Sequence, residues 1–433
     1  MSKFLINGGK SLNGEIKVQG SKNAATKMMV ASLLTDEECI LENFPQIGDT
    51  EITADLCRSL GSKTDIKNGT ARIKTQDIKN PVAVLLTRRN RIPILTLGPL
   101  LARTGRAEVP VLGGDKIGPR PVNLHLKALM ALGAEIEILE DRFRASAPQG
   151  LKGARIQFKF PSVGATENAI LAAVLANGKT TIKNAAIEPE VIDLIKMLQK
   201  MGAIIGLGAN RTIYIEGVKK LKGTIHRLLP DRNEAVSFAC LAAASGGKVK
   251  IRDALQEHLI TFLNALRKIG GEYSVEDDGI AFWRNGKLIS TEIETDTHPG
   301  FMTDWQQPFA VLLTQAEGVS VVHETIYEDR FGYAEDLNLM GANIKVFSKC
   351  LGELSCRFNG KGYGHSAVIS GPTSLKGSRL KVRDLRSGIA HIIAALIAEG
   401  KSEIEGVEEI DRGYERLDER LRNLGAGIKR IES

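Results

Sequence analysis

The stretch LMALGAE, residues 129–135, decides the fold. A Leu- or Met-rich tail, a hydrophobic residue and then Gly marks an amphipathic helix that stops at a glycine cap before a strand. One such tail is commonplace. The same tail recurs as LCRSLGS, LQKMGAI, LRKIGGE, LNLMGAN and LRNLGAG, with its glycines at Gly61, Gly133, Gly202, Gly270, Gly341 and Gly425. Their separations are 72, 69, 68, 71 and 84 residues, so six units of about seventy account for almost the whole chain.

A second element keeps the same beat. An Ala-rich apolar helix runs through Gly into a β-branched strand in ENAILAAVLANGKTTIKNA (167–185), EAVSFACLAAASGGKVKIRDA (234–254), FAVLLTQAEGVSVVHETI (309–326) and GIAHIIAALIAEGKSEIEGV (388–407). Two earlier segments, NAATKMMVASLLTDEECILENF and LGPLLARTGRAEVPVLGG, match more loosely. Helices this apolar are expected to be buried on most sides. Each unit then holds one inner helix, one more amphipathic helix and several strands. The opening FLINGGKSLNGEIKVQG reads as two strands that pair with the last unit. That divides the units three and three, with crossovers near Gly20–Lys22 and Leu229–Arg232: residues 22–229 form one domain, and 1–21 with 230–433 the other. The longer fifth interval holds an insertion, SKCLGELSCRFNGKGYGHS (348–366), expected to be a β-hairpin.

Composition narrows the function. With 433 residues, 43% hydrophobic and 25% charged, the chain can bury more than one core. Its net charge of +7 is not gathered into a basic tail, and aromatics make up only 5%, with no RNA-binding signature or stacking platform. Nucleic acid is therefore not expected as a partner. No apolar run could span a bilayer, and MSKFLINGGK lacks the apolar core of a signal peptide. The cysteines Cys39, Cys57, Cys240, Cys350 and Cys356 are odd in number, scattered and without a CxxC pair. That suits free thiols in a reducing cytoplasm better than a disulfide frame or a zinc site.

In a repeat protein, function tends to sit where polar residues break the symmetry. Just before each inner helix stand Lys22 and Asn23, Arg91, Ser162 and Thr166, Asp231 and Arg232, Thr303 and Asp304, and Asp384 and Arg386. For Ser162, Asp231 and Asp304 taken alone, helix capping is the favoured reading. Lys22, Arg91 and Arg386 do not, because a cation at a helix N-terminus opposes the macrodipole. An anion between them removes the conflict, which predicts a phosphate- or carboxylate-binding cleft between the two domains.

Taken with these residues, the motifs GSKNAA, LGPLLAR, GG-K-G-RPV-LH, SVGAT, LPDR, TDWQ and IDRGYERL give a chain that resembles the UDP-N-acetylglucosamine 1-carboxyvinyltransferases, a family of enolpyruvyl transferases. The resemblance runs in order over the whole chain. It implies an α/β fold, a two-domain inside-out α/β barrel joined by a double crossover. It also implies transfer of the enolpyruvyl group of phosphoenolpyruvate to the sugar 3-hydroxyl of UDP-N-acetylglucosamine, releasing phosphate without metal or cofactor, in the cytoplasm, as the first committed step of peptidoglycan precursor synthesis. By the same resemblance, Lys22, Asn23, Arg91, Arg386 and Arg412 contact phosphoenolpyruvate or stabilise its charge. Arg120, Pro121, Val122, Asn123 and Leu124 line the uridine end, Ser162, Val163 and Gly164 face the diphosphate, and Asp304 and Ile326 face the sugar. No membrane insertion and no obligate protein partner are expected. The alternatives are a paralogue with another hydroxyl acceptor, or a non-catalytic nucleotide-sugar binder. Retention of Lys22, Arg120, Asp304, Arg386 and Arg412 together argues against the last.

The Gly- and Pro-rich loop PVLGGDKIGPRPVNLH (110–125) matches that family's catalytic lid, about 110–122, with Gly113 and Gly114 as hinge-like positions. Most members have Cys after the paired glycines, and this chain has Asp115. The reaction needs an acid to protonate the vinyl carbon and a base for the sugar hydroxyl; Asp115 and Asp304 are the candidates. A carboxylate lid also implies insensitivity to fosfomycin, which alkylates the thiol. Position 123 is Asn where Asp is frequent, and Phe160 and Ile187 stand where some relatives have Lys and Arg.

Overall fold

The six repeat glycines share one backbone conformation. In the computed structural model, which describes residues 2–83, 90–111, 121–353 and 356–432, their φ angles lie between +91° and +107°. At Gly202 the amide donates to Gln199 O at 2.9 Å and the next amide, of Ala203, reaches back to Leu198 O at 2.9 Å. The same pair of bonds closes the helices before Gly61, Gly133, Gly341 and Gly425. A left-handed residue satisfies the last helical carbonyls and turns the chain into a strand, and only glycine takes that conformation without strain.

The third repeat shows the unit most plainly. A short strand, Arg155–Gln157, leads to the inner helix Val163–Ala173, and the chain returns as Lys179–Lys183, parallel to the first strand with Ile182 beside Ile156. The amphipathic helix Pro189–Lys200 follows, then the hairpin Ile204–Gly208 and Thr212–Glu216. Ile156, Ile182, Ile205, Ile213 and Ile215 all point inward, as alternation along a half-buried strand requires.

The chain forms two compact units, one running from Gly20 to Leu229 and the other combining the start up to Gln19 with Pro230 onward. Each holds three of the six described sheets and its own apolar core. In the second unit the inner helices Arg232–Ser245, Gln306–Leu313 and Leu385–Ile397 pack on one another. In the first, Leu97–Thr104 packs on Val163–Ala173, and Lys22–Ala31 meets the 3-10 turn Ile92–Thr96. The architecture is mixed α/β. No described helix is long and apolar enough to cross a membrane.

Two local expectations need correction. The opening strands separate: Lys3–Asn7 inserts between Lys401–Glu405 and Gly427–Ile431 of the last repeat, but Gly14–Lys17 runs parallel to Val249–Arg252 of the fourth. The insertion is not itself a hairpin. Its described residues form turns and coil between the paired strands Asn343–Phe347 and Ser366–Gly371, which meet at Phe347 and Ser366.

The cap geometry predicts two different costs. A Cβ at Gly202 meets nothing within 4 Å, whereas at Gly61 it would lie 2.6 Å from Asp77 O. Gly202→Ala should therefore destabilise by about 1 kcal/mol, from backbone strain alone. Gly61→Ala should cost clearly more; urea denaturation of both variants checks the order.

Candidate active site

Asp304 stands in the 3-10 turn Thr303–Trp305 that feeds the inner helix Gln306–Leu313. Both its oxygens are engaged. Arg330 donates from Nη2 to Oδ1, and Arg386 Nη2 lies 3.1 Å from Oδ2. Arg330 and Arg386 are 5% and 6% exposed, so their charges depend on this partner. Burial, the largest single effect on each, would lower an arginine, but the surrounding groups, Asp304 first among them, together outweigh it and both are raised.

Arg386 occupies the first turn of Leu385–Ile397, where the N-cap Asp384 accepts from the amides of Arg386 and Ser387 at 3.0 and 3.1 Å. The conflict between cation and helix N-terminus is met here by two protein carboxylates. Arg386 also donates to the Tyr414 hydroxyl at 3.3 Å, and that hydroxyl lies 2.9 Å from Ser237 Oγ. Arg412 Nη1 bonds Glu409 Oε2 at 2.7 Å. Ile326 is half-buried, its amide donating to Glu324 Oε1 at 2.8 Å. Burial pushes the Glu324 carboxyl up, although the Arg330 charge, the Ile326 and Tyr327 amides and Thr303 oppose this.

In the Gly20–Leu229 unit, Lys22 opens the helix Lys22–Ala31, behind its N-cap Ser21. Its Nζ lies 2.8 Å from Oδ2 of the buried Asp49, again a protein counter-ion at a helix start. Asn23 follows it, half-buried, and Arg91 begins the turn Ile92–Thr96. The segments expected to take uridine and diphosphate adjoin. Val122 caps the helix Asn123–Ala131, with Pro121 and Asn123 exposed and Leu124 half-buried, and this helix packs on Val163–Ala173. Ser162 Oγ caps the latter by accepting from the Ala165 amide at 3.4 Å. Asp115 and Arg120 lie outside the described residues, with the rest of 112–120.

His125 links these segments and was not among the sequence candidates. A Cβ at Gly164 would lie 3.0 Å from its Cε1, so glycine permits the close approach there. Its Nδ1 lies 3.3 Å from Asn168 Nδ2. Burial, helped by the Arg91 charge, pushes its pKa down to about 3, so the ring is neutral near pH 7. Arg330 and Glu324 were missed as well, because nothing in the sequence YEDRFGY marks an arginine that will be buried. Cys350 and Cys356 depart from the reading of scattered thiols, since their sulfurs lie 3.4 Å apart.

This is a two-unit, six-repeat α/β protein with charged side chains gathered at the starts of inner helices. The sequence profile described as EPSP synthase (3-phosphoshikimate 1-carboxyvinyltransferase) matches residues 6–421, and the chain belongs to that family. UDP-N-acetylglucosamine 1-carboxyvinyltransferase of Protochlamydia amoebophila is 48% identical, over 100% of this chain and 95% of the relative. The protein of that name from Chlamydia pneumoniae is 50% identical, over 96% and 93%. Among solved structures, the enolpyruvyl transferase NikO from Streptomyces tendae superposes with a TM-score of 0.88 at 21% identity, covering 100% of this chain and 99% of that one. An EPSP synthase from Acinetobacter baumannii gives 0.77 at 18%, covering both chains fully. At those identities the two structures bear on the fold alone.

The neutral, buried His125 makes a prediction about acid. Between the folded pKa of about 3 and the ordinary value near 6.5, the unfolded chain binds a proton that the folded chain does not. Stability must then fall as pH drops through 6.5, by on the order of 3 kcal/mol at about pH 4. His125→Gln should flatten that part of the curve, read as the difference between the two proteins in urea melts across this range.

Proposed function

We propose that this chain transfers the enolpyruvyl group of phosphoenolpyruvate to the 3-hydroxyl of UDP-N-acetylglucosamine, as a cytoplasmic enzyme of peptidoglycan precursor synthesis. One observation carries the reading: relatives bearing that enzyme name are 48% and 50% identical over nearly the whole chain. The sugar hydroxyl adds to C2 of phosphoenolpyruvate while C3 takes a proton; loss of a C3 proton and of phosphate then regenerates the double bond on the sugar oxygen.

Lys22, Asn23, Arg91, Arg386 and Arg412 are assigned to the phosphate and carboxylate of phosphoenolpyruvate. Lys22 and Arg386 are each already held by a carboxylate, Asp49 and Asp304. Such a pair is positioned before substrate arrives, so little side-chain freedom is lost on binding. Arg120, Pro121, Val122, Asn123 and Leu124 are assigned to uridine, and Ser162, Val163 and Gly164 to the diphosphate. The helix start at Ser162 offers backbone N–H groups suited to that anion. Asp304 and Ile326 are assigned to the sugar. With each Asp304 oxygen held by an arginine, its plane is fixed, and the lone pairs that remain can accept the sugar hydroxyl's hydrogen bond. Asp115 is the general acid at C3, in the place of the family's usual lid thiol. Loss of water around it on lid closure, with the substrate phosphate nearby, favours its protonated form; Lys116 and Arg120 oppose this.

Phosphate release from phosphoenolpyruvate should require UDP-N-acetylglucosamine, and Asp115→Asn should slow it by about 10²- to 10⁴-fold, the range for losing a general acid. Release without the nucleotide sugar would count against the acceptor, and an unimpaired variant against the acid. Incubation with fosfomycin should leave the intact mass unchanged, because a carboxylate at position 115 offers no thiol to alkylate. A stoichiometric adduct would point to another nucleophile.

A further inference from the structure

The insertion brings together four side chains that the enolpyruvyl chemistry does not use. His323 ends the strand Ala316–His323, His365 precedes Ser366–Gly371, and Cys350 and Cys356 come from the loop between. One ligand atom from each, the two Sγ and an imidazole nitrogen of each histidine, lies within 4.8 Å of all the others. Cys350 Sγ is 3.4 Å from Cys356 Sγ and 3.4 Å from His365 Nε2. A tetrahedral zinc with Zn–S near ~2.3 Å and Zn–N near ~2.0 Å has edges of roughly 3.3–3.8 Å. To hold the ion the cluster would contract by about 1 Å at its widest edge, while the two sulfurs would part by a few tenths of an ångström.

The surrounding hydrogen bonds set both imidazoles for a metal. His365 Nδ1 lies 2.7 Å from Tyr363 O, a carbonyl that can only accept, so the proton is on Nδ1 and Nε2 keeps its lone pair toward Cys350. His323 Nδ1 lies 2.8 Å from Ser366 Oγ. That hydroxyl donates to Lys349 O at 2.8 Å and accepts from the Leu351 amide, which leaves it to accept from His323 Nδ1 as well. His323 Nε2, on a residue 1% exposed, is then a bare lone pair, and it has no hydrogen-bond partner among the described residues. The Phe358 amide donates to Cys356 Sγ at 3.4 Å, and the Glu294 carboxylate is 3.8 Å from His323 Nε2, so the surroundings favour a cation.

We propose that Cys350, Cys356, His323 and His365 bind one Zn²⁺ in a closed, structural Cys₂His₂ site. Two thiolates and two neutral imidazoles match zinc in softness and geometry, and four protein ligands leave no open position for catalysis. Binding releases the two thiol protons. The metal joins the insertion to the end of the strand that leads directly into Glu324 and Ile326. Arg357 of the insertion donates to the Ile326 carbonyl, so the same loop touches the segment assigned to the sugar.

The test is zinc content of the full-length protein, purified under reducing conditions without chelator, by elemental analysis. About one zinc per chain is expected, falling to background in Cys350→Ser/Cys356→Ser. Wild-type protein stripped with chelator and given Co²⁺ should show the intense visible bands of a tetrahedral thiolate site, a readout that stands even if the variant does not fold. Protein with neither zinc nor a cobalt spectrum overturns the proposal, as does zinc that stays bound in the folded double variant. A mass two hydrogens light, marking a Cys350–Cys356 disulfide, overturns it too. None of these readouts depends on the enzymatic reading.

Discussion

An inner helix without a polar face must be enclosed on every side, and this constraint orders both units. In Leu385–Ile397 every side chain from Leu385 to Leu396 is buried, and in Arg232–Ser245 every one from Arg232 to Ala244. No flank of such a helix can present function to solvent. Its first turn is different, because the opening N–H groups have no helical partners and must be met by something else. Ser21, Ser162, Asp231 and Asp384 meet them as caps. The polar side chains of this protein therefore gather at helix starts, where packing and chemistry make the same demand. Repetition supplies six such starts, and selection among them is left to a few charges.

Those charges belong to the fold as much as to the site. Arg330 and Arg386 are buried cations with Asp304 between them, and Lys22 is held by buried Asp49. Removing one member of a buried pair leaves the other charged and unmatched, which is costlier than never having had the pair. A loss of activity on changing Asp304 would thus mix two effects. Arg386 also touches Tyr414, which in turn touches Ser237 of another inner helix, so the position of one carboxylate reaches two helices of the same unit.

The repeat was legible because its marker is a backbone requirement. A glycine with φ near +100° cannot be exchanged cheaply, so six of them mark the repeat in the sequence, five at a spacing of 68–72 residues and the last displaced by the insertion. The apolar inner helices were legible for a related reason, since their burial leaves no room for polar substitution. What depends on long-range pairing was not. Nothing local in GEIK says that Gly14–Lys17 joins Val249–Arg252 rather than the sheet that takes Lys3–Asn7. Arg330 carries no motif and is defined by a carboxylate twenty-six residues earlier; His125 ends the motif RPV-LH, but its burial depends on a glycine that lets it approach. All five cysteines are free thiols, as their spacing suggested, but the nearness of Cys350 and Cys356 to His323 and His365 was not legible, because it depends on strand pairing that sequence does not show.

The insertion shows how symmetry can be broken without disturbing a repeat. Where the first and third units close their hairpins with the tight, left-handed turns Asn68–Gly69 and Asn210–Arg211, the fifth leaves its sheet at Phe347 and rejoins it in register at Ser366. The ladder survives, so the added chain burdens only itself. Ordering it nevertheless costs about 1–2 kcal/mol of backbone entropy per residue. Against that the described loop buries one large apolar side chain, Phe358, in contact with the rings of Tyr363 and His365. That is a small core for a long excursion, and segments too short of apolar surface to hold themselves are commonly cross-linked. Cys350 and Cys356 come from this loop, while His323 ends one strand of the sheet and His365 immediately precedes its neighbour. A four-ligand anchor at that point supplies the order that hydrophobic burial there cannot.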